Sequence, residues 1–137
     1  MRQKSVFIDS SFFKALLDAD DDFYMQAIKI WKFFLQQSTP LVTTNYIIDE
    51  ILTLIRNRCG LELALDFRSV LTEYASSIKL IRVTVDDDAG AWQWFEKDWS
   101  KLSYTDCVSF VVMKRLGITH IATFDEHFKR AGFTLVS

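Results

Sequence analysis

Apolar residues along the chain follow two different spacings. Short continuous runs occur at Ser5–Asp9 (SVFID), Leu41–Thr43, Ile78–Val83, Ile118–Thr123 and Phe133–Val136. Each is too short for a helix and rich in branched or aromatic residues, so these runs predict five strands. Between them apolar residues return at helical spacing. Ser10 or Ser11 is placed to cap a helix through SFFKALLDA, and the acidic group Asp20–Asp22 sits where a helix N-terminus favours negative charge. Tyr24, Ala27, Ile28, Trp31, Phe34 and Leu35 then form one face of a helix to about Gln37, which the pair Thr39–Pro40 ends. Further on, Ile47, Ile48, Ile51, Leu52 and Ile55 mark a helix from Asn45 to Arg58, with Gly60 as its stop. Leu61–Ala75 continues as an amphipathic helix, and Asp86–Trp99 as another with Ala89, Trp92, Phe95 and Trp99 on its inner face. Ser103 or Thr105 caps a helix to Leu116, with Gly117 as its left-handed stop, and Asp125–Arg130 forms a short last helix.

Strands alternating with helices predict an α/β fold with a mainly parallel central sheet of four to five strands. Ligands of such sheets gather beyond the carboxyl ends of the strands, and here those ends carry acids. Asp9 closes the first strand and Asp125 follows the fourth by two residues. Asp106 stands in the first turn of the helix before that strand, and Asp49 and Glu50 lie in the helix after the second. Clustered carboxylates are costly unless something positive neutralises them, and a hard divalent cation such as Mg²⁺ or Mn²⁺ does so. Each acid also has a plainer explanation. Asp9 and Asp125 can cap the helices that follow them. Asp106 completes Ser103-x-x-Asp106, a capping-box pattern. Helical phase alone does not choose between Asp49 and Glu50.

Composition narrows the picture. Half of the 137 residues are apolar, enough for one domain with a sizeable core, and no apolar run is long enough to span a bilayer. The opening MRQKSVFIDS is too poor in apolar residues for a signal peptide, so a cytoplasmic protein without membrane contact is expected. Sixteen basic against eighteen acidic residues leave a net charge of −2, too little positive charge to hold nucleic acid by bulk electrostatics. Cys59 and Cys107 lack metal-type spacing and read as two free, mostly buried thiols.

The segments VFIDSS, LVTTNYIIDEILTLI, KLSYTDCVSFVVMKRLGI and HIATFDEHFKRAGF, spanning nearly the whole chain, resemble the PIN-domain family, particularly VapC-type toxins of toxin–antitoxin pairs. The resemblance implies a three-layer PIN-like fold over residues 1–137 and a Mg²⁺- or Mn²⁺-dependent endoribonuclease. It places the metal site at Asp9, Glu50, Asp106 and Asp125, and so selects Glu50 over Asp49. Asp9 and Asp106 are then the firmest ligands, with Thr123 supplying a hydroxyl near the last acid and Ser10 lining the pocket. It also implies RNA as substrate, an antitoxin protein as partner and a homodimer. A surplus apolar stripe of Phe23, Ile30 and Phe33 offers an interface.

Other features carry less. His120 and His127 flank the Asp125 segment and read as structural or surface residues. Trp92, Phe95 and Trp99 read as core, with Trp94 partly exposed. The pairs Arg56/Arg58, Lys114/Arg115 and Lys129/Arg130 are candidate phosphate contacts. Competing classes are a housekeeping PIN nuclease and a non-catalytic PIN-like module binding RNA or protein. A haloacid-dehalogenase-type phosphatase requires an Asp where Ser11 stands, and a receiver domain requires paired acids where Ile8 precedes Asp9.

Overall fold

The computed structural model describes residues 4–137; Arg2 of the basic opening lies outside them. Five strands form one parallel sheet: β1 (Val6–Ile8), β2 (Leu41–Thr44), β3 (Ile78–Ile81), β4 (His120–Ala122) and β5 (Thr134–Leu135), in the order β3-β2-β1-β4-β5. Val6 pairs with Leu41 on one side and His120 on the other, so β1 runs through the middle. Every residue of β1 and β2 is buried, as expected of strands covered on both faces.

Seven helices connect and cover the strands: α1 (Ser10–Leu17), α2 (Tyr24–Gln37), α3 (Asn45–Cys59), α4 (Leu61–Glu73), α5 (Val85–Phe95), α6 (Tyr104–Leu116) and α7 (His127–Arg130). The core joins Phe7 and Ile8 of the sheet to Phe12, Phe13, Ile51 and Phe110, all with essentially no exposure. The elements match the expected order, and the α/β class stands. Strand ends are shorter than the apolar runs: β4 keeps only His120–Ala122 of the expected Ile118–Thr123.

Several details differ from the reading of the sequence. Of the caps offered for α1, it is Asp9 whose carboxylate accepts the Phe12 amide N–H, and not Ser10 or Ser11. On α2 the expected second stripe is broken. Ile30 is buried, whereas Phe33 is 54% exposed and Leu35, expected inside, faces solvent. Cys107 is buried but Cys59 is exposed, and both are free thiols.

The largest error concerns α5, where the inner face is opposite to the one expected. Ala89, Trp92 and Phe95 face solvent, while Asp87, Ala91 and Trp94 turn inward. Two causes combine. A Cβ added at Gly90 would lie 3.3 Å from Val111 Cγ1, so α5 approaches α6 through small residues. Asp87 is buried because Arg115 grips its carboxylate through two hydrogen bonds, of 2.9 and 2.8 Å. Although burial alone would raise the Asp87 pKa, Arg115 and the Thr84 cap hold it below the ordinary value. Neither a paired aspartate nor a glycine registers in an apolar pattern. Arg115 is thereby committed to the fold, and Lys114 lies 4.9 Å over the Trp94 ring. Trp99 packs on the core and Trp94 is half-buried against it, both as expected, whereas Trp92 and Phe95 are exposed.

Candidate active site

The carboxyl end of β1 meets the carboxyl end of β4, and their side chains bond directly. Thr123 Oγ1 donates to Asp9 Oδ2 at 2.7 Å and accepts the Asp125 amide N–H at 2.9 Å. Ser11 Oγ donates to Asp9 Oδ1 at 2.8 Å and accepts the Phe124 amide N–H at 2.9 Å. Asp9 is therefore held by two hydroxyls and a backbone amide, and it is buried. Thr123 is where the family resemblance put a hydroxyl. Ser11 was read only as a possible helix cap, and its position three residues past the strand gives little signal of a place in the site.

The other acids come from helices. Glu50 leaves α3 toward Asp9, receives a hydrogen bond from Ser10 Oγ at 3.2 Å, and keeps Oε2 buried without a partner. Its neighbour Asp49 faces solvent, so of the two acids that periodicity left open it is Glu50 that lines the cavity. Asp106 begins α6, where Ser103 Oγ accepts its amide N–H at 3.0 Å. The capping-box explanation is thus half true. At Thr84 and Asp87 the box closes in both directions, whereas the buried Asp106 side chain is spared for the pocket. Asp9, Glu50, Asp106 and Asp125 all line one cavity of about 440 Å³, with Lys14, Arg58 and Lys101 also on its wall.

Electrostatics follow from burial. Desolvation raises Asp9 from 3.8 to about 7, against the hydrogen bonds from Thr123, Ser11 and the Phe12 amide that favour its charged form. Asp106 is likewise raised well above the carboxylate range, by burial first and then by the charges of Asp125, Asp9 and Glu50. Burial also lifts the Cys107 thiol to about 11, so the residue beside Asp106 is no nucleophile at neutral pH.

His127 is the main surprise. Its Nδ1 lies 2.9 Å from Asp125 Oδ1 and 3.7 Å from Asp106 Oδ2. Among the described residues, Asp106, Asp125 and His127 offer ligand atoms all within 4.8 Å of one another. A second depression beside the first is lined by Ser100, Lys101, His127, Lys129 and Arg130, so the expected basic pair on α7 borders the site. Arg58 also borders it, while Lys114 and Arg115 do not.

The PIN domain family model matches residues 6–134. The chain belongs to the PIN-domain family. This PIN domain is 31% identical over 132 residues to the 23S rRNA-specific endonuclease VapC20 of Mycobacterium tuberculosis, a match covering 96% of this chain and 97% of that protein. Its fold superposes on the crystal structure of that VapC20, a sarcin-ricin loop cleaving toxin, with a TM-score of 0.81 over 94% of this chain and 96% of the other. PAE2754 from Pyrobaculum aerophilum, 14% identical, shares the fold with a TM-score of 0.62, covering 98% of this chain and 88% of that one. No helix among the described residues is long and apolar enough to cross a membrane.

The donors fit a divalent cation. Burial raises the pKa of both Asp9 and Asp106, disfavouring their charged forms, and two buried atoms, Glu50 Oε2 and His127 Nδ1, have no hydrogen-bond partner among the described residues. A cation among them relieves both conditions at once.

Proposed function

We propose that this protein is a divalent-metal-dependent endoribonuclease, the toxin of a toxin–antitoxin pair, working as a single cytoplasmic domain over residues 1–137. The observation that carries this reading is the convergence of Asp9, Glu50, Asp106 and Asp125 on one cavity, with Asp9 and Asp106 too buried to stay charged alone. The match to an endonuclease along nearly its whole length supports it.

In this reading Asp9, Asp106, Glu50 and Asp125 hold Mg²⁺ or Mn²⁺, which when bound supplies charge for the phosphate oxygens and lowers the pKa of water. Asp9, fixed by Thr123, Ser11 and the start of α1, needs no rearrangement to serve as a ligand. Glu50, anchored through one oxygen by Ser10, keeps the other free to take a proton from the attacking water. Water attacks phosphorus, and the 3′-oxygen leaves. Lys101 and Arg58 on the wall meet the phosphates flanking the scissile bond, and Lys129 and Arg130 extend that track. A chain with net charge −2 thus binds RNA through a local rim rather than its whole surface.

The RNA fragment to try first is a ribosomal hairpin, given the substrate named for the relative. The purified protein is expected to cut such RNA with Mg²⁺ or Mn²⁺ and to stop on addition of EDTA, and Asp9→Asn is expected to abolish cutting. Cleavage unaffected by EDTA, or retained by Asp9→Asn, refutes the mechanism. An antitoxin tail is proposed to place a basic side chain among the same acids, and the protein is proposed to pair with a second copy through the exposed part of α2.

A further inference from the structure

His127 opens α7, and its ring is held from outside the acid pocket. Nε2 lies 2.8 Å from the Ser100 carbonyl oxygen. A carbonyl oxygen only accepts, so Nε2 carries the proton and Nδ1 of the neutral ring keeps its lone pair. The Trp99 ring lies parallel to the imidazole, with centroids 6.4 Å apart and 12° between planes, which restricts the ring's rotation. So oriented, Nδ1 is buried and faces Asp125 Oδ1 at 2.9 Å and Asp106 Oδ2 at 3.7 Å, contacts that are ion pairs only on a protonated ring. Asp125 Oδ1 is already engaged by the His127 amide N–H at 2.9 Å. A lone pair facing two carboxylates is repelled unless something positive sits among them.

We propose that Nδ1 of His127 is a nitrogen ligand, together with Asp106 and Asp125, of a divalent cation, and that this nitrogen favours Mn²⁺ over Mg²⁺. The inference rests on the metal-dependent reading above but adds a donor that the four acids do not contain. Cis ligands around an ion with bonds near 2.1 Å stand about 3 Å apart and trans ligands about 4.2 Å, limits between which the 2.9 and 3.7 Å separations at Nδ1 fall to about a tenth of an ångström. Metal-binding histidines characteristically donate their other ring N–H to a carbonyl or carboxylate, and Ser100 supplies that carbonyl. Mg²⁺ takes oxygen donors and keeps several waters, whereas imidazole suits first-row transition metals. The contrary assignment is a proton on Nδ1 and a simple ion pair with Asp125.

The test uses the full-length protein and Mn²⁺ itself. Pulsed EPR of bound Mn²⁺ is expected to show modulation from a directly coordinated imidazole ¹⁴N. His127→Gln is expected to remove that signal and weaken Mn²⁺ binding about tenfold or more by equilibrium dialysis, while Mg²⁺ binding changes little. Asp106→Asn, expected to lose Mn²⁺, reports on the metal site separately. Bound Mn²⁺ without nitrogen modulation, in a protein whose Asp106→Asn variant has lost the ion, overturns the role of His127 and leaves the nuclease reading standing. Unchanged Mn²⁺ affinity in a folded His127→Gln variant overturns it equally. Should that variant not fold, the nitrogen signal of the wild type decides alone. Failure of the wild type to bind Mn²⁺ while it binds Mg²⁺ overturns the role of His127 alone, and failure to bind either ion overturns the metal-dependent reading as well.

Discussion

Replacing Asp106 by Asn removes a charge from the acid cavity at nearly constant shape, and the metal-free protein should become more stable. For Asp9, the rise from 3.8 to about 7 corresponds to roughly 4 kcal/mol at 1.36 kcal/mol per pKa unit. Asp106 is raised by burial and by three neighbouring carboxylates, without the hydroxyl hydrogen bonds that partly compensate Asp9. Relaxation of the pocket and entry of water reduce the effect, leaving a gain on the order of 2–4 kcal/mol, or roughly 5–15 °C in Tm for a domain of this size. The direction with pH is fixed. A carboxyl that binds its proton more tightly in the folded state contributes stability fully present below the unfolded value near 4, and that stability is lost as pH rises through the folded value. The advantage of Asp106→Asn should therefore be largest near pH 8 in EDTA and shrink toward pH 5. Mn²⁺ at a thousandfold excess over Kd should close or reverse the gap, because only the wild type gains the binding free energy, about 4.1 kcal/mol. Thermal melts at two pH values, with and without metal, measure all of this. Equal melting of the two proteins at pH 8, or a gap that widens toward pH 5, would refute the account of the pocket.

Three further outcomes are expected. Arg115→Met leaves the buried Asp87 carboxylate without its partner and should cost about 3 kcal/mol in urea unfolding at pH 7. Because the Asp87 pKa is lowered in the folded state, that loss should diminish as pH falls through the folded value. Thr123→Val removes the hydrogen bond to Asp9 and the acceptor of the Asp125 amide, and should cost about 1–2 kcal/mol of stability together with most of the RNA cleavage rate. Phe33→Glu on the exposed face of α2 should halve the sedimentation mass of the proposed dimer without lowering the thermal midpoint of the monomer; an unchanged mass removes α2 from the interface.

Strand and helix order was legible because it rests on apolar periodicity, which the two-sided burial of β1 and β2 enforces. Where burial depends on polar partners, periodicity misleads. Asp87 lies inside α5 only because Arg115 reaches it from α6, a pairing of residues 28 positions apart that no local pattern contains. The choice of Glu50 over Asp49 needed family resemblance, since both are polar and adjacent; the structure then turns Asp49 to solvent. The cap of α1 was left between Asp9 and the two serines because Asp9 performs two tasks at once, accepting the Phe12 amide while facing the cavity. The surroundings of His127 were illegible for a related reason. Its significance comes from Ser100 and Trp99, in a different part of the chain, which aim its ring at Asp125 and Asp106.

The place of the site follows from topology more than from any motif. In the order β3-β2-β1-β4-β5, the chain departs from β1 in both directions, and ligands of parallel sheets bind at such a reversal. β1 and β4 are the strands that flank it, and Asp9 and Thr123 leave their carboxyl ends already bonded to each other. Asp125 follows Thr123, and Glu50 and Asp106 arrive on α3 and α6, so the cavity is assembled from four separate stretches of chain. Such an assembly is rigid where the acids are, since Asp9 and Thr123 are buried and hydrogen-bonded, and open where Lys101, Lys129 and Arg130 project from the surface. The chemistry is then fixed by the fold, while the rim is free to vary with the RNA. Changing Lys101 or Arg130 should alter which RNA is cut and how salt weakens binding, whereas changing Asp9 should alter whether any RNA is cut at all.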